Sequence, residues 1–273
     1  MVQKNFGIYG EASVAARLYV EIGEKYIACF SIAESNKALH SFELFEFSET
    51  DSLDFEELLR VIKLHSKLFD QSFVAVNIIW SNKQSTAIPT TIYSDETAAD
   101  YLLLETGFSA PGALLKDNTG KQTVGYYISP DDITAIKHYF PAAKCSHKKA
   151  LLYSKQSSIN QDGHIVKIAF YIGQFSLVVY KNGEVQLCQQ CDYQTTEDVL
   201  YYLLNDMQQT GIEREQAVVY IGGMIDKASS LFKELNLYIA SLKTDNLTPE
   251  QLNKEAFAEY PAHYFSPFYN LVV

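Results

Sequence analysis

The sequence predicts an α/β protein made of two similar halves, and two observations lead to that prediction. The chain has 273 residues, of which 47% are hydrophobic and 20% charged, which is typical of a packed globular protein of one large or two ordinary domains. The periodicity of the apolar residues gives one order of elements twice: three strands, a helix, a strand, a helix and a strand. We therefore expect two domains, residues 1–157 and 158–273, joined by the polar stretch 155–163.

In the first half, the helix starts are the clearest signals. Asp54 and Ser94 stand where helix N-caps belong, and Gly107 stands where the second helix should stop. Ser129 is followed by Pro, which suits the first position of a third helix. Strands are predicted at residues 18–22, 26–32, 39–47, 73–80, 86–93, 123–128 and 144–153, with a loop at 116–122.

The second half repeats this order and contains a hairpin signal. Asn182 and Gly183 fit a two-residue type I′ turn, because both central positions of that turn need positive φ. Thr195 and Asp198 form a capping box, and Gly211 follows the helix that they begin. Strands are predicted at 165–172, 175–180, 184–191, 217–221 and 237–242, and further helices at 226–236 and from residue 248.

The charge balance excludes several classes of partner. Asp and Glu number 33 against 22 Lys and Arg, a net charge of −11. Proteins that bind duplex nucleic acid neutralise phosphates with Lys and Arg, and an anionic membrane surface would repel this chain. The longest apolar stretch, residues 73–80, is far shorter than a spanning helix. We therefore expect a cytoplasmic protein without nucleic acid binding or membrane insertion.

The cysteines and histidines give no metal or redox prediction. Four cysteines are too few for a disulfide framework, which agrees with a reducing compartment. Cys188 and Cys191 form a C-x-x-C, but residues three apart on a strand point to opposite faces. His138, Cys145 and His147 lack a second ligand pair at zinc-finger spacing, so we favour structural roles for them.

Three short segments place glycines at the ends of predicted strands. A glycine there lets backbone amides approach phosphate oxygens, and a neighbouring carboxylate can hold hydrated magnesium. An equally simple interpretation is structural, since hairpin tips and tight strand-to-helix turns favour glycine in any protein. The segments are Y-V-E-I-G-E-K-Y at 19–26, with Glu21 and Gly23; F-Y-I-G-Q at 170–174, with Tyr171, Gly173 and Gln174; and V-V-Y-I-G-G-M at 218–224, with Gly222 and Gly223.

With these segments, the duplicated order resembles the actin, Hsp70 and sugar-kinase superfamily, in which two ribonuclease-H-like halves close on a nucleotide. Within it, the chain is similar to the PilM type and to a family of uncharacterised bacterial proteins with an actin-like ATPase fold. The resemblance implies two ribonuclease-H-like lobes, ATP and magnesium as the ligands to test, and a cleft where the glycine tips meet. It also implies that residues 264–273 pack back onto the first lobe. The cofactor-binding residues it implies are Glu21, Gly23, Gly173, Gln174, Gly222 and Gly223.

The sequence departs from that family at the chemical positions. Glu21 replaces the first Asp, and Tyr171 replaces the second, where a neutral phenol cannot hold a cation. We therefore favour a degenerate scaffold that binds an unknown protein partner, with nucleotide binding weak or absent. The alternative is an active ATPase or kinase, for which Glu21 is the catalytic candidate. A ribonuclease-H-type nuclease would need an acidic cluster that Glu21 alone does not supply.

Overall fold

The computed structural model describes residues 2–47, 54–107, 112–155 and 163–273. By its internal contacts the chain divides into two compact units, Met1–Ser154 with Pro249–Ala258, and Lys155–Thr248 with Glu259–Val273. The predicted domain boundary, after residue 157, lies outside the described residues. Among the described residues, no helix combines the length and the apolar character needed to cross a membrane.

The first unit contains a six-stranded mixed sheet and a separate three-stranded sheet. Its strands are β1 (Gln3–Ile8), β2 (Ala16–Gly23), β3 (Tyr26–Ala33), β4 (Leu39–Glu46), β5 (Ala75–Ser81), β6 (Ser85–Pro89), β7 (Ala113–Asn118), β8 (Gln122–Ile128) and β9 (Lys144–His147). The strand orders are β1-β4-β3-β2-β5-β9 and β6-β8-β7. The helices are α1 (Phe55–His65), α2 (Asp95–Thr106), α3 (Pro130–Tyr139) and α4 (Lys148–Ser154).

The second unit contains one five-stranded sheet with the order β12-β11-β10-β13-β14. Its strands are β10 (His164–Phe170), β11 (Gln174–Lys181), β12 (Glu184–Asp192), β13 (Ala217–Gly223) and β14 (Leu242–Thr244). Its helices are α5 (Thr196–Gln209), α6 (Ser230–Tyr238) and α7 (Ser266–Val272).

The predicted duplication is confirmed by the topology. Strands β4-β3-β2-β5-β9 of the first unit follow the same order as β12-β11-β10-β13-β14 of the second. In both sheets the central strand pairs antiparallel with the next strand and parallel with the strand after the first helix. The first unit adds β1 at its edge and inserts the three-stranded sheet with α2.

The predicted helix caps are also confirmed. The side chains of Asp54, Ser94 and Ser129 each accept a backbone N–H from the first turn of their helices. Thr195 and Asp198 form both bonds of the capping box at the start of α5. Gly107, at φ 75°, ends α2 in the left-handed conformation. These contacts are local in sequence, which is why residue types alone predict them.

Several predicted elements are wrong. The strand predicted at 144–153 ends at His147, where α4 begins. The start of α4 was missed because the side chain of His147, an unusual residue in this role, accepts the N–H of Lys149. The loop predicted at 116–122 is partly strand β7, and the strand predicted at 86–93 ends at Pro89 and continues as a 3₁₀ turn, Thr90–Ile92.

The largest errors lie near the two chain ends. Strand β1 was not predicted at all, and residues 248–258 form turns instead of a helix. Helix α6 runs to Tyr238, inside the strand predicted at 237–242, and β14 covers only Leu242–Thr244. We expected residues 264–273 to pack on the first lobe, and this stays a prediction; within the second unit, α7 of this segment contacts β13.

Candidate functional site

In the first unit, the parallel strands β2, β5 and β9 end side by side, and polar residues lie at their carboxyl ends. Gly23 at the end of β2 is opposite Ser81 of β5, and Trp80 is opposite His147 at the end of β9. The carboxyl ends of parallel strands are where α/β sheets bind ligands. This sheet edge is therefore the place to test the first predicted segment.

Glu21 lies on β2 beneath this edge and is completely buried. Its Oε1 accepts a hydrogen bond from the Tyr26 hydroxyl at 2.6 Å and forms an ion pair with Lys148 Nζ at 3.0 Å. Lys148 is itself buried, at 5% exposure. A buried charge needs such a partner, because the cost of removing it from water is otherwise several kcal/mol. The carboxylate that the sequence proposed as a magnesium ligand is thus neutralised within the protein.

The second carboxylate oxygen of Glu21 differs from the first. Within the part of the chain that the structure describes, Oε2 is buried and has no hydrogen-bond partner. Neither Lys148 nor Tyr26 was among the predicted site residues. Lys148 follows Glu21 by 127 residues, and no local pattern connects the two positions.

The role of Gly23 follows from its neighbour. A Cβ at this position would lie 2.4 Å from Cε1 of the Tyr26 ring. The glycine therefore allows the ring to cover the end of β2 while the Tyr26 hydroxyl reaches Glu21. This close aromatic packing accounts for the glycine without a bound phosphate. The positive φ expected of a hairpin glycine is not found at Gly23.

Beside these residues, His147 is held in its neutral form. Its ring Nε2 lies 3.1 Å from the Asn82 side-chain oxygen, and its Nδ1 accepts the N–H of Lys149, so Nε2 carries the proton. Burial, together with the neighbouring Lys149 charge, lowers the pKa of His147 to about 3. The ring therefore stays uncharged at neutral pH and acts as a structural link.

In the second unit, the equivalent hairpin has a different chemistry. Phe170 pairs with Phe175 across its tip, as Ile22 pairs with Ile27 in the first unit. By this register Tyr171 is equivalent to Gly23. The dipeptides Ile22–Gly23 and Ile172–Gly173, whose matching letters suggest equivalent positions, are therefore offset by two residues, although they belong to equivalent hairpins. Gly173 has a φ of 64°, so its positive backbone angle explains the glycine.

Tyr171 and Gln174 at this tip are both buried. The Tyr171 ring packs edge-on against Phe268 of α7, with ring centroids 5.6 Å apart. The Gln174 side chain donates to Asp192 at 3.0 Å and accepts from Gln190 at 2.9 Å. Both side chains thus have contacts inside the second unit that do not require a ligand.

Gly222 and Gly223 have separate structural causes. A Cβ on Gly222 would lie 2.4 Å from the Ser266 hydroxyl oxygen, so this glycine lets the start of α7 approach β13. Gly223 has a φ of 85°, and a Cβ there would lie 2.1 Å from the carbonyl oxygen of Phe170. Whether either glycine also borders a nucleotide stays a prediction, as does the expected convergence of the three tips in a cleft.

The cysteines and remaining histidines form no obvious chemical cluster. In the described ranges, no group of three or more His, Cys, Asp or Glu side chains could hold a metal ion. Cys188 and Cys191 lie on β12 and are not disulfide-bonded, and Cys145 is exposed on β9. The ring of His138 packs edge-on against Tyr139.

Comparison with solved structures defines the class of protein. A Bacteroides thetaiotaomicron protein with actin-like ATPase fold and unknown function matches 90% of this chain and 96% of its own, at a TM-score of 0.72 and 16% identity. The PilM–PilN type IV pilus biogenesis complex contains a chain that matches over 96% of this chain and 98% of its own, at a TM-score of 0.60 and 12% sequence identity. The chain thus has the actin-like ATPase fold of two ribonuclease-H-like lobes, as predicted.

The sequence family is defined separately. The model of the family described as "Protein of unknown function (DUF3822)" matches residues 11–242, and the chain belongs to that family. A search of curated proteins finds no match. Strand β1 precedes the matched residues.

Proposed function

We propose that this protein is a degenerate member of the actin-like ATPase fold that acts as a scaffold or partner-binding module, with nucleotide binding weak or absent. The observation that carries the proposal is the buried contact between Glu21 and Lys148 at 3.0 Å. An ammonium group already neutralises the carboxylate that would have to attract a magnesium ion. Coordination of a cation there would bring two positive charges together in a site with little water.

The second unit supports the same proposal. Phosphoryl transfer depends on charges placed around the phosphoryl group in a preorganised site. Tyr171 offers an uncharged phenol at the second predicted loop, and its ring is committed to packing against Phe268. The residues present therefore do not fit a magnesium nucleotide.

One observation favours the alternative, an active ATPase or kinase. The buried Oε2 of Glu21 has no partner among the described residues, and an unsatisfied carboxylate oxygen is a group that a cation would stabilise. Rotation of Lys148 away from Glu21 would be required first. We rank this function second because that movement would leave a buried carboxylate without its charge partner.

The test is a titration of the full chain with ATP, ADP and MgCl₂, followed by calorimetry and thermal unfolding. We expect no saturable heat and no rise in the unfolding temperature. A ligand present at 100 times its dissociation constant would instead stabilise the protein by about 2.7 kcal/mol. ATP hydrolysis that Glu21→Ala abolishes would overturn the proposal and establish the enzyme.

A further inference from the structure

Helix α2 of the first unit carries large apolar side chains on two sides, and the three-stranded sheet covers only one of them. Ala98 and Leu102 are buried, and the helix contacts β6 and β8 of that sheet. A surface helix of a globular protein normally confines its large apolar side chains to its buried side. Three such side chains of α2 are instead exposed: Tyr101, Leu103 and Leu104. Exposed apolar groups that lie together beside polar ones are typical of an interaction surface.

The exposed side of α2, which we call its outer face, has an acidic first half and an apolar second half. Its members are Glu96, Asp100, Tyr101, Leu103 and Leu104. Glu96, Asp100 and Leu104 follow one another at intervals of four residues, so they lie in one row along the helix. The helix contains no Lys, Arg or His. In the part of the chain that the structure describes, Asp95 is paired with Lys116 at 2.8 Å, whereas neither Glu96 nor Asp100 takes part in an ion pair.

We propose, on the basis of the partner-binding function inferred above, that the outer face of α2 binds an amphipathic helix of a partner protein. Apolar side chains of that helix would cover the apolar half of the face, and basic side chains one or two turns away would pair with Glu96 and Asp100. Amphipathic helices bind apolar surfaces in this way, through side chains three and four residues apart. Removal of the leucines from water would supply affinity, and the charge pairs would fix the orientation.

The charges disfavour a second copy of this chain as the occupant. Two outer faces packed in parallel would bring Asp100 of one copy towards Asp100 of the other. Packed antiparallel, they would place the carboxylates of each copy against the leucines of its neighbour, with no cation to neutralise them. An unpaired charge that loses water costs several kcal/mol. The net charge of −11 adds long-range repulsion between copies and attraction for a basic partner.

Two labelled helical peptides of about 18 residues serve as probes. Both are rich in Ala and carry four Leu residues on one side, three and four positions apart. On the same side, beyond the last Leu, one peptide has two Lys residues and the other has two Glu residues. Fluorescence anisotropy measures their binding to the full chain. We expect saturable binding of the Lys peptide, about tenfold tighter than that of the Glu peptide, because each charge pair contributes up to about 1 kcal/mol.

Variants of exposed residues locate the binding site. Leu104 is 80% exposed, and Leu237 on α6, at 81%, is its matched control. Leu104→Ser should weaken binding of the Lys peptide about tenfold, and Leu237→Ser should leave it unchanged. Both variants should unfold at the temperature of the wild type, since substitutions of exposed side chains change stability little. Asp100→Lys should remove the preference for the Lys peptide, because the new ammonium replaces one carboxylate and pairs with Glu96 four residues before it.

Several outcomes would overturn the proposal: equal binding of the two peptides, equal weakening by the two Leu→Ser variants, or a dimer that Leu104→Ser dissociates. A large loss of stability in Leu104→Ser would also overturn it, because the chain itself would then cover this face. ATP turnover by the same samples would refute the proposed function and leave the α2 proposal standing. Absence of peptide binding in samples that also lack nucleotide binding would refute the α2 proposal alone.

Discussion

At the residue scale, the two buried glutamates Glu43 and Glu21 differ in how many of their carboxylate oxygens have hydrogen-bond partners. Glu43 accepts hydrogen bonds from Lys4, Tyr9, Ser66 and the N–H of Lys67, and both of its oxygens are used. Glu21 has partners on one oxygen only. Glu43 therefore joins β1, β4 and the end of α1, whereas Glu21 depends on Lys148.

Replacement of Lys148 tests this dependence. We expect Lys148→Met to lower the free energy of unfolding by about 3–5 kcal/mol, because it leaves a buried carboxylate uncompensated. Urea unfolding measures the change. The double variant Glu21→Gln/Lys148→Met should recover much of the loss, and Lys116→Met, at the exposed pair with Asp95, should change stability little. If Lys148→Met left the free energy of unfolding unchanged, the ion pair between Glu21 and Lys148 would be contradicted.

Gly222 gives a second test at this scale. Gly222→Ala should destabilise the protein by about 1–3 kcal/mol, because the new Cβ would overlap the Ser266 hydroxyl. Ser266→Ala alone should cost about 1 kcal/mol through its lost bond to the His263 carbonyl. In the double variant the overlap is relieved, so its stability should approach that of Ser266→Ala. If the double variant lost as much stability as the two single variants together, the close packing of Gly222 against Ser266 would be contradicted.

At the element scale, α5 and β12 are joined by a polar contact with a pH dependence. The Gln189 amide on β12 donates to Asp206 on α5, where the carboxylate is buried. Burial raises the pKa of Asp206 to about 6, although hydrogen bonds from Asn205 and Gln189 oppose the rise. The helix and the edge strand thus meet at a carboxyl group that keeps its proton to a higher pH than it would in the unfolded chain.

The raised pKa of Asp206 predicts a loss of stability with rising pH. Between about pH 4 and 6 the folded chain keeps a proton that the unfolded chain has lost, so unfolding becomes easier as the pH rises. Asp206→Asn should therefore be more stable than the wild type above pH 6, by about 2 kcal/mol, and similar to it at pH 4. Thermal unfolding across this range provides the measurement.

Asp198 supplies a control of opposite sign. The N–H groups of Gln194 and Thr195 lower the pKa of this capping carboxylate. Its stabilising contribution is therefore present at neutral pH and lost as the pH falls through its lowered pKa. Asp198→Asn should be less stable than the wild type at pH 7. If Asp198→Asn were more stable than the wild type at pH 7, the lowered pKa of Asp198 would be contradicted. If Asp206→Asn were no more stable than the wild type at pH 7, the raised pKa of Asp206 would be contradicted.

At the scale of the whole molecule, two units of equivalent topology carry unlike residues at equivalent hairpins. The first has Gly23 beside a buried carboxylate, and the second has Tyr171 packed against Phe268. A fold shared with ATPases therefore does not by itself supply the chemistry of an ATPase.

Introduction of a carboxylate at the second hairpin tests the proposed loss of nucleotide chemistry. Tyr171→Asp should destabilise the second unit by roughly 2–4 kcal/mol through loss of a buried ring, without conferring magnesium-dependent ATP binding. Tyr171→Phe keeps the ring and serves as the control. Calorimetry with MgATP and urea unfolding give the two readouts. Saturable MgATP binding by the Asp variant would instead indicate an otherwise intact nucleotide site.

The duplicated order and the helix caps could be predicted from the sequence because both depend on neighbours along the chain. Periodicity identifies a helix or strand, and Asp54 or Thr195 caps a helix with atoms three residues away. The positive φ of Asn182 agrees with the predicted hairpin turn for the same reason. The glycines of the predicted site could likewise be found by pattern, although their partners could not.

Only the tertiary structure decided what those glycines and Glu21 contact. The ammonium of Lys148 comes from 127 residues along the chain, and Ser266 reaches Gly222 from a helix that no periodicity predicted. Strand β1 was missed because a short, half-exposed segment becomes a strand through the edge on which it pairs. The sequence by itself determined the elements and their repetition. Their pairing in space determined which polar groups are neutralised, because burial and long-range contacts set the cost of a charge.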